Sequence, residues 1–460
     1  MRRRSCRYFI GLVGLVGILV MVYGGFVLAA MSPEEAEQLG GKELTETGSI
    51  RAGNTDGTIP EYTGGLTKPP PGFDVKSGNW PDPFADEKPL FSINAANMNM
   101  YADKLTDGAM EVMKRYPDWR IDVYKTHRSY YYPQWILDNT KKFATKARTA
   151  DEGLSLVDVH AAVPFPIPKN GVETIWNHLT TFVSQAVDFR SGKIIVDRSG
   201  RKIVASRVVS PWDYPYWDPK KPSGINDYLY RSMGEFPFPP RLGGQVLIIH
   251  MPLNLGKRPQ TSWVYLPGQR RIKLAPEVGY DNPVVENGGF DVYDEQQMFC
   301  GKIDRYNWKL LGRKEMYVTY NCYRAVFNGK DTDLKPKFPD PAAVRWELHR
   351  VWVLEATLKP GARHTYHKRI MYLDEDSWII LAATTYDAHG GFYTAAFSLY
   401  TPFYGKGGAF NQSRFLFNLA SGGYLMNSSD VYPAEKVWVS EPRPIAYYEP
   451  DRIAAEFGIR

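Results

Sequence analysis

Two histidines and an acidic run between residues 364 and 376 come nearest to a chemical site in type and spacing. His364 and His367 lie three residues apart in a segment that we predict to be a strand. Because successive side chains of a strand point to opposite faces, the two imidazoles diverge and cannot bind one metal ion. The run Asp374-Glu375-Asp376 lacks the spaced oxygen ligands of a calcium loop, and a solvated hairpin turn is its simpler interpretation. We therefore predict no metal site.

Motifs of the common catalytic and nucleotide-binding sites are missing from the 460 residues. The chain has no G-x-S-x-G nucleophile elbow, no phosphate-binding P-loop and no dinucleotide-binding glycine fingerprint. We predict that the protein has no catalytic residues, needs no cofactor and is not an enzyme. An envelope hydrolase with a site dispersed in sequence is the last of the alternatives.

Arg350 is the most informative single residue, because it occupies an apolar face. It lies between Leu348 and Trp352, which share its parity in a predicted strand. A buried guanidinium needs a partner. A salt bridge with an acid from a neighbouring strand is the favoured interpretation. The alternative is an anchor for the phosphate or carboxylate head of a ligand.

The segment 344–383 supplies the elements that must position these side chains. Its three extended runs alternate in polarity, and Lys359-Pro360-Gly361 is a turn sequence between the first and the second. The acidic run forms the next turn, and residues 387–391 turn the chain into a fourth strand. The pattern predicts an antiparallel meander.

Further strands are predicted at 261–266 and 316–327, with amphipathic helices within 95–147 and 172–182. Each strand has one apolar parity, and the helices must bury their apolar stripes. We therefore predict an α+β protein, mostly antiparallel β, with helices against the concave face of a large curved half-barrel sheet. The ligand-binding residues predicted to line that concavity are Trp263, Tyr265, Val318, Tyr320, Leu348, Arg350 and Trp352.

The first 30 residues are predicted to be a targeting segment. Four arginines precede an uncharged apolar run from Phe9 to Ala30, and small residues at its end offer a cleavage site. We interpret 1–30 as a secretory signal peptide, with an uncleaved membrane anchor as the alternative. Its removal takes four of the 56 basic residues and none of the 50 acidic ones. The mature chain is then close to neutral, and no nucleic-acid partner is expected.

The mature chain is predicted to have two parts. Residues 31–92 are rich in glycine, proline and Asx turns and should form an extended arm, followed by a single domain over 93–460. Two cysteines remain, Cys300 and Cys322. An even number in an exported protein permits a disulfide between them, and two buried free thiols are the alternative.

Long motifs along the chain resemble one bacterial family, the domain of unknown function 1329 family. They are AGNTDGTIPEYTGG (52–65), PFPIP followed by ETIWNH (164–178), YLPGQRRIKLAP (265–276), DRYNWKLLGRKEMY (304–317) and RWELHRVWVLEATLKPG from 345. That family is itself similar to periplasmic lipoprotein-sorting carriers, whose half-open antiparallel barrel holds acyl chains. The resemblance implies envelope transport beside an outer-membrane barrel protein and a resistance-nodulation-division exporter. It carries over no catalytic residues.

Composition and resemblance together predict the function. We expect a non-enzymatic carrier or adaptor for a lipid or other hydrophobic molecule in the periplasm of a Gram-negative bacterium. There the protein is either free or associated with a membrane. The alternative from another class is a structural or assembly partner of an envelope complex that binds no ligand.

Overall fold

The computed structural model describes residues 31–220, 228–427 and 436–456. The predicted signal peptide or anchor at 1–30 lies outside these ranges. Within them, no helix combines the length and the apolar composition needed to cross a bilayer.

Strands dominate the described residues. The first ten are β1 (Phe91–Asn94), β2 (Arg120–Val123), β3 (Arg148–Ala150), β4 (Ser155–Val157), β5 (Ala186–Val196), β6 (Lys202–Asp213), β7 (Tyr228–Phe238), β8 (Gln245–Pro252), β9 (Thr261–Leu266) and β10 (Arg271–Leu274). The others are β11 (Tyr306–Thr319), β12 (Trp346–Leu358), β13 (Lys368–Asp374), β14 (Ile380–Tyr386), β15 (Phe392–Ser398), β16 (Thr401–Pro402), β17 (Ala409–Phe410), β18 (Arg414–Asn418), β19 (Tyr424–Asn427) and β20 (Lys436–Val439).

Two meanders form most of one 16-stranded sheet. The first meander is β5 to β10, each strand antiparallel to the next. The second meander is β11 to β15 followed by β18 and β19. Antiparallel pairing of β19 with β5 joins the two meanders. The terminal strands of this path, β1 and β10, do not pair with each other in the described part of the chain, so the sheet stays open.

Six α-helices accompany the sheet in the described ranges. They are α1 (Pro33–Glu37), α2 (Asp107–Arg115), α3 (Gln134–Phe143), α4 (Gly171–Leu179), α5 (Tyr323–Phe327) and α6 (Pro450–Glu456). Side-chain caps set where they begin: the Thr106 hydroxyl accepts from the first turn of α2, and the Asn170 amide oxygen does so for α4. The predicted fold class is confirmed: α+β, with a large, mostly antiparallel half-barrel sheet.

Two predicted elements differ from the structure. The helix predicted over 95–116 is divided into a 3-10 segment, Met98–Lys104, and α2, because Leu105 and Thr106 are extended between them. The strand predicted over 316–327 ends at Thr319, because the chain turns at Asn321 with a φ of 53° and then enters α5.

The acidic turn after β13 is buried, so the prediction of a solvated hairpin is wrong. Asp374, Glu375 and Asp376 are 0%, 1% and 4% exposed. Arg128 donates to Asp376 at 2.6 and 2.8 Å. Burial disfavours ionisation of Asp376, but Arg128 outweighs it and the pKa of Asp376 is lowered. Partners distant in sequence therefore turn a surface-like acidic run into an internal network.

The N-terminal residues 31–90 run along the body with little regular structure. Trp80 is 1% exposed, and its indole N–H donates to the carbonyl of Val437 at 2.9 Å. The Ser49 hydroxyl donates to the carbonyl of Glu375 at 2.6 Å, so the same segment shields the acidic turn from water.

Residues 275–301 form a long irregular segment between β10 and β11, which we call the cover segment. It lies on the face of the sheet opposite to α2. The backbone N–H of Gly108 in α2 donates to Thr384 Oγ1 at 3.0 Å, whereas Thr394 Oγ1 donates to Glu295 of the cover segment at 3.1 Å. Thr394 is in register with Thr385, and neighbouring residues of a strand point to opposite faces.

Candidate functional site

An apolar cavity of about 130 Å³ lies between the first meander and the cover segment. The strands β5 to β8 form its floor, and the cover segment lies over part of it. The apolar residues around it are Phe189, Val208, Trp212, Tyr230, Phe236, Leu247 and Ile249 from the sheet, with Val278, Val284 and Tyr293 from the cover segment. Concave sites lined mostly by apolar and aromatic side chains, with a few polar groups, are typical ligand sites.

Small residues at inward positions of neighbouring strands create this space. Ser206 and Ser210 alternate with outward residues on β6, and Ser232 and Gly234 do so on β7; all four line the cavity. A serine or glycine does not reach across to the cover segment as a leucine would. Small residues of one parity on two consecutive strands are a sequence signal for such a space. The site residues predicted from the sequence do not include them.

Side chains rather than strand pairing hold the cover segment on the sheet. Asn287 Oδ1 lies 3.1 Å from Ser206 Oγ, and Gln245 donates to Glu286 at 2.8 Å. The backbone bridge of the cover segment, between Pro283 and Val292, is internal to it. The middle of the cover segment is therefore attached to β6 and β8 by side chains and not by a strand ladder.

The far end of the cover segment is anchored on the second meander by buried charges. Asp291 pairs with Arg414 of β18, and Asp294 accepts from Arg369 of β13 at 2.7 and 2.8 Å. Burial opposes ionisation of Asp294, but Arg369 and His364 outweigh it and the pKa of Asp294 is lowered. This end of the segment is therefore fixed by fully buried ion pairs.

Glu295 follows Asp294 directly, but its carboxyl group has no cationic partner in the described part of the chain. Its carboxyl accepts from Tyr366 at 2.9 Å, and no Arg or Lys lies within ion-pair distance of it among the described residues. Burial raises the pKa of Glu295 to about 7. The group is therefore largely protonated in mildly acidic solution.

A polar corner lies on the floor of the cavity where β19 meets β5. Lys193 Nζ donates to the amide oxygen of Gln296 at 3.0 Å. Burial lowers the pKa of Lys193, against the opposing attraction of Asp291. Ser191 Oγ and Asn427 Oδ1, both cavity-lining, are buried without a hydrogen-bond partner. We call Ser191, Lys193 and Asn427 the polar corner.

A smaller hollow of about 10 Å³ adjoins the cavity and shares Tyr230, Cys300 and Gly301 with it. It continues toward α4, where His178 and Leu179 contribute to its wall. The shared residues belong to β7 and the cover segment.

A larger hollow of about 280 Å³ lies elsewhere, between the N-terminal residues and the segment 321–345. Charged side chains make up five of its thirteen lining residues: Asp82, Glu87, Arg324, Lys330 and Arg345. The cavity under the cover segment has three charged residues among 25, so it is the better candidate for an apolar ligand.

The seven predicted ligand-binding residues lie in two separate places, and none lines the cavity. Trp263 and Tyr265 of β9 belong to a small cluster with Met233, Tyr448 and Ile453. Val318, Tyr320, Leu348 and Trp352 belong to the main core. Among the described residues these seven do not line one common hollow, because four of them pack against other core side chains and two belong to the cluster at β9.

The surroundings of the core residues show how completely that space is filled. Tyr320 stacks on His349 at 3.8 Å between ring centroids, and Trp352 stacks on Trp378 at 5.8 Å. Arg350 lies 3.3 Å from Glu375, so the structural salt bridge favoured from the sequence is confirmed.

The candidate disulfide is not present, because both cysteines are free thiols in different surroundings. Cys300 contacts the carbonyl of Tyr293 in the cover segment, at 3.5 Å. At the start of α5, the Sγ atom of Cys322 lies 3.6 Å from the carbonyl oxygen of Arg345. Burial raises the pKa of Cys300 to about 12, so this thiol stays protonated and unreactive.

Comparisons with known proteins give one family. A family model described as protein of unknown function (DUF1329) matches residues 92–454. An uncharacterised protein of Pseudomonas aeruginosa is 38% identical over 418 residues, which cover 87% of this chain and 88% of the relative. The match to a solved DUF1329 family protein from Desulfovibrio piger covers 61% of this chain and 97% of that protein, at 14% identity and a TM-score of 0.42. The match to a LolA superfamily protein from Nitrosomonas europaea covers 62% of this chain and 100% of that protein, at 11% identity and a TM-score of 0.36.

Proposed function

The chain belongs to the DUF1329 family, as its motifs predict, and from that premise we propose that it is a non-enzymatic carrier for a lipid or other hydrophobic molecule. The observation that supports the proposal is the apolar cavity between β5–β8 and the cover segment. Burial of apolar ligand surface supplies the affinity, at about 0.8 kcal/mol per methylene group.

The size of the cavity indicates how loading proceeds. A volume of about 130 Å³ is comparable to that of an engineered protein cavity, about 150 Å³, that takes up benzene. A space of this volume holds only a short part of an acyl chain. A complete chain needs more room, which release of the side-chain attachments of the cover segment to β6 and β8 would provide.

Native mass spectrometry of protein purified from its own cell envelope tests the proposal. We expect a co-purifying mass that organic extraction removes. A protein that carries no extractable molecule but retains a tightly bound protein partner would instead favour the structural or assembly role.

Two matched variants connect ligand uptake to this cavity. Ser232→Phe places a ring in the cavity from a residue that is 4% exposed on β7. Val209→Phe adds the same ring on β6 at a position that is 38% exposed and lies outside the cavity lining. Binding of the neutral fluorophore N-phenyl-1-naphthylamine should weaken by about tenfold or more in the first variant and stay unchanged in the second. Equal binding by both variants would contradict the cavity assignment.

We also propose where the carrier works and with which partners. The predicted export signal and the family resemblance support work in the periplasm with an outer-membrane barrel protein and an exporter of the resistance-nodulation-division class. Photo-crosslinking from exposed positions in living cells tests this. Crosslinks to an outer-membrane barrel and an exporter are expected, and a protein found only in the cytoplasm would refute it.

A further inference from the structure

We propose that the cavity binds a single-chain amphiphile whose carboxylate head lies at the polar corner formed by Ser191, Lys193 and Asn427. This inference rests on the carrier function proposed above and names the chemical class of its ligand. The apolar wall receives the chain, and the polar corner receives the head.

Lys193 is the first reason. Its ammonium group has three N–H donors, and the described residues give it one hydrogen bond, to the neutral amide of Gln296. No carboxylate lies within ion-pair distance of it in those ranges. The nearest acids have other partners: Asp291 pairs with Arg414, and Glu286 accepts from Gln245. Two donors of a cation that lines an apolar cavity are therefore open to a ligand.

The second reason is independent of charge. Ser191 is 7% exposed and Asn427 is 2% exposed, yet Ser191 Oγ and Asn427 Oδ1 have no hydrogen-bond partner. A buried polar atom without a partner costs roughly 1–3 kcal/mol, so such atoms usually face a ligand or an ordered water. The amide of Asn427 is oriented by its donation to the carbonyl of Gln412 at 2.8 Å, which leaves its oxygen unpaired.

The strand register places these three groups together. Asn427 of β19 is the in-register partner of Lys193 of β5. Ser191 precedes Lys193 by two residues on the same strand and therefore shares its face. One carboxylate oxygen can accept from Lys193 and the other from Ser191. A ligand hydroxyl or a water molecule can donate to Asn427.

The remaining charges favour a monoanion over a phosphate. Glu286 also lines the cavity and has no cationic partner among the described residues, whereas Asp294 and Arg414 are each paired with an opposite charge. A second negative charge on the ligand would therefore meet one lysine and one carboxylate without a cation of its own.

The volume favours one chain over two. The cavity and the adjoining hollow, about 130 and 10 Å³, share Tyr230 and Cys300, and the smaller one has no room for a second chain. A second chain has no separate channel in the lining described above.

The experiment compares three probes that share one chain: dodecanoate, dodecanol and dodecyl phosphate, each titrated against bound N-phenyl-1-naphthylamine below its micelle concentration. We expect the full-length protein to bind dodecanoate roughly tenfold to a hundredfold more tightly than dodecanol, as expected for hydrogen bonds to a charged group. Dodecyl phosphate should bind more weakly than dodecanoate.

Two variants assign any preference to the polar corner. Lys193→Met keeps the length of the side chain and should abolish the preference for the acid while dodecanol affinity stays unchanged. Ser191→Ala is the milder change and should reduce the preference by roughly threefold to tenfold. Circular dichroism and thermal unfolding confirm that each variant is folded, and if Lys193→Met is not, Ser191→Ala decides alone.

The outcomes separate this inference from the carrier function. Equal binding of acid and alcohol, or a preference that survives in the variants, overturns the carboxylate head and leaves the carrier function standing. Tighter binding of the phosphate overturns the choice of carboxylate. Failure of the unmodified protein to bind any of the three probes refutes the carrier function itself.

Discussion

The two meanders share one sheet but use their inward faces differently. In the second meander large side chains fill the space, as where Trp352 stacks on Trp378. In the first meander, Ser206, Ser232 and Gly234 leave a cavity beneath the cover segment. Strand alternation is the same in both halves, so the size of the inward residues decides which half packs solidly and which can accept a ligand.

Buried charges follow the same division. Arg350 and Arg369 of the second meander, and Arg128 beside its acidic turn, each have a carboxylate partner among the described residues. Lys193 of the cavity half has only a neutral amide. A completed ion pair stabilises a fixed structure, whereas an incomplete one on a cavity wall leaves a binding position. We infer that the second meander stabilises the fold and that the first meander supplies the proposed ligand site.

The largest expected effect is in the packed half. Arg128→Met leaves Asp376 and Glu375 buried without their common cation, and should lower the free energy of unfolding by about 3–5 kcal/mol. Denaturant unfolding measures it. Arg148→Met is the control, because the Arg148–Asp158 pair is exposed and should contribute at most about 1 kcal/mol. Similar losses in both variants would show that the buried network is not a main support of the scaffold.

The next largest effect is the difference in stability loss between two leucine truncations, one in each meander. Leu354→Ala in β12 removes a side chain with 0% exposure and should cost about 2–5 kcal/mol. Leu247→Ala in β8 enlarges a space that is already open and should cost only about 1 kcal/mol. Chemical denaturation of both variants in the same buffer gives the difference. Equal costs would mean that the first meander is packed as tightly as the second.

The smallest expected effect is a pH dependence of the anchor between the halves. Burial raises the folded-state pKa of Glu295 to about 7 from its ordinary value of 4.5. Between these values the folded protein keeps a proton that the unfolded chain has lost, so the free energy of unfolding falls as pH rises from about 4.5 to about 7. The total fall should be roughly 1–3 kcal/mol.

Glu295→Gln removes this ionisation and should make stability less dependent on pH over that interval. Urea unfolding at several pH values, compared with Glu111→Gln on α2 as the control, measures the slope. An unchanged slope in Glu295→Gln would assign the pH dependence to other groups and would remove Glu295 as a titrating anchor of the cover segment.

Local pattern was sufficient for part of the fold. The alternation through 346–358 and the turn at Lys359-Pro360-Gly361 predicted antiparallel strands, and β12 and β13 are such a pair. The turn at 387–391 likewise joins β14 to β15. These features follow from side-chain periodicity and turn dihedrals, which depend on neighbouring residues only.

The candidate site could not be obtained in the same way. Parity grouped Leu348 with Trp352 and Trp263 with Tyr265, but parity does not say whether a face meets a filled core or an empty space. Nor does it show that the cover segment lies over β5–β8. Sequence signals for the site existed in the inward serines of β6 and β7, yet their meaning depends on what lies opposite them.

The sequence by itself determined the family, the fold class, the meander strands and the need of Arg350 for an acid. Tertiary structure alone decided the pairing of β19 with β5, the burial of Asp374-Glu375-Asp376 and the placement of Lys193 beside Asn427. The physical reason is the range of the interactions. Helix caps, turns and strand alternation act between residues close in sequence, whereas burial and charge pairing join residues such as Arg128 and Asp376, which are 248 positions apart.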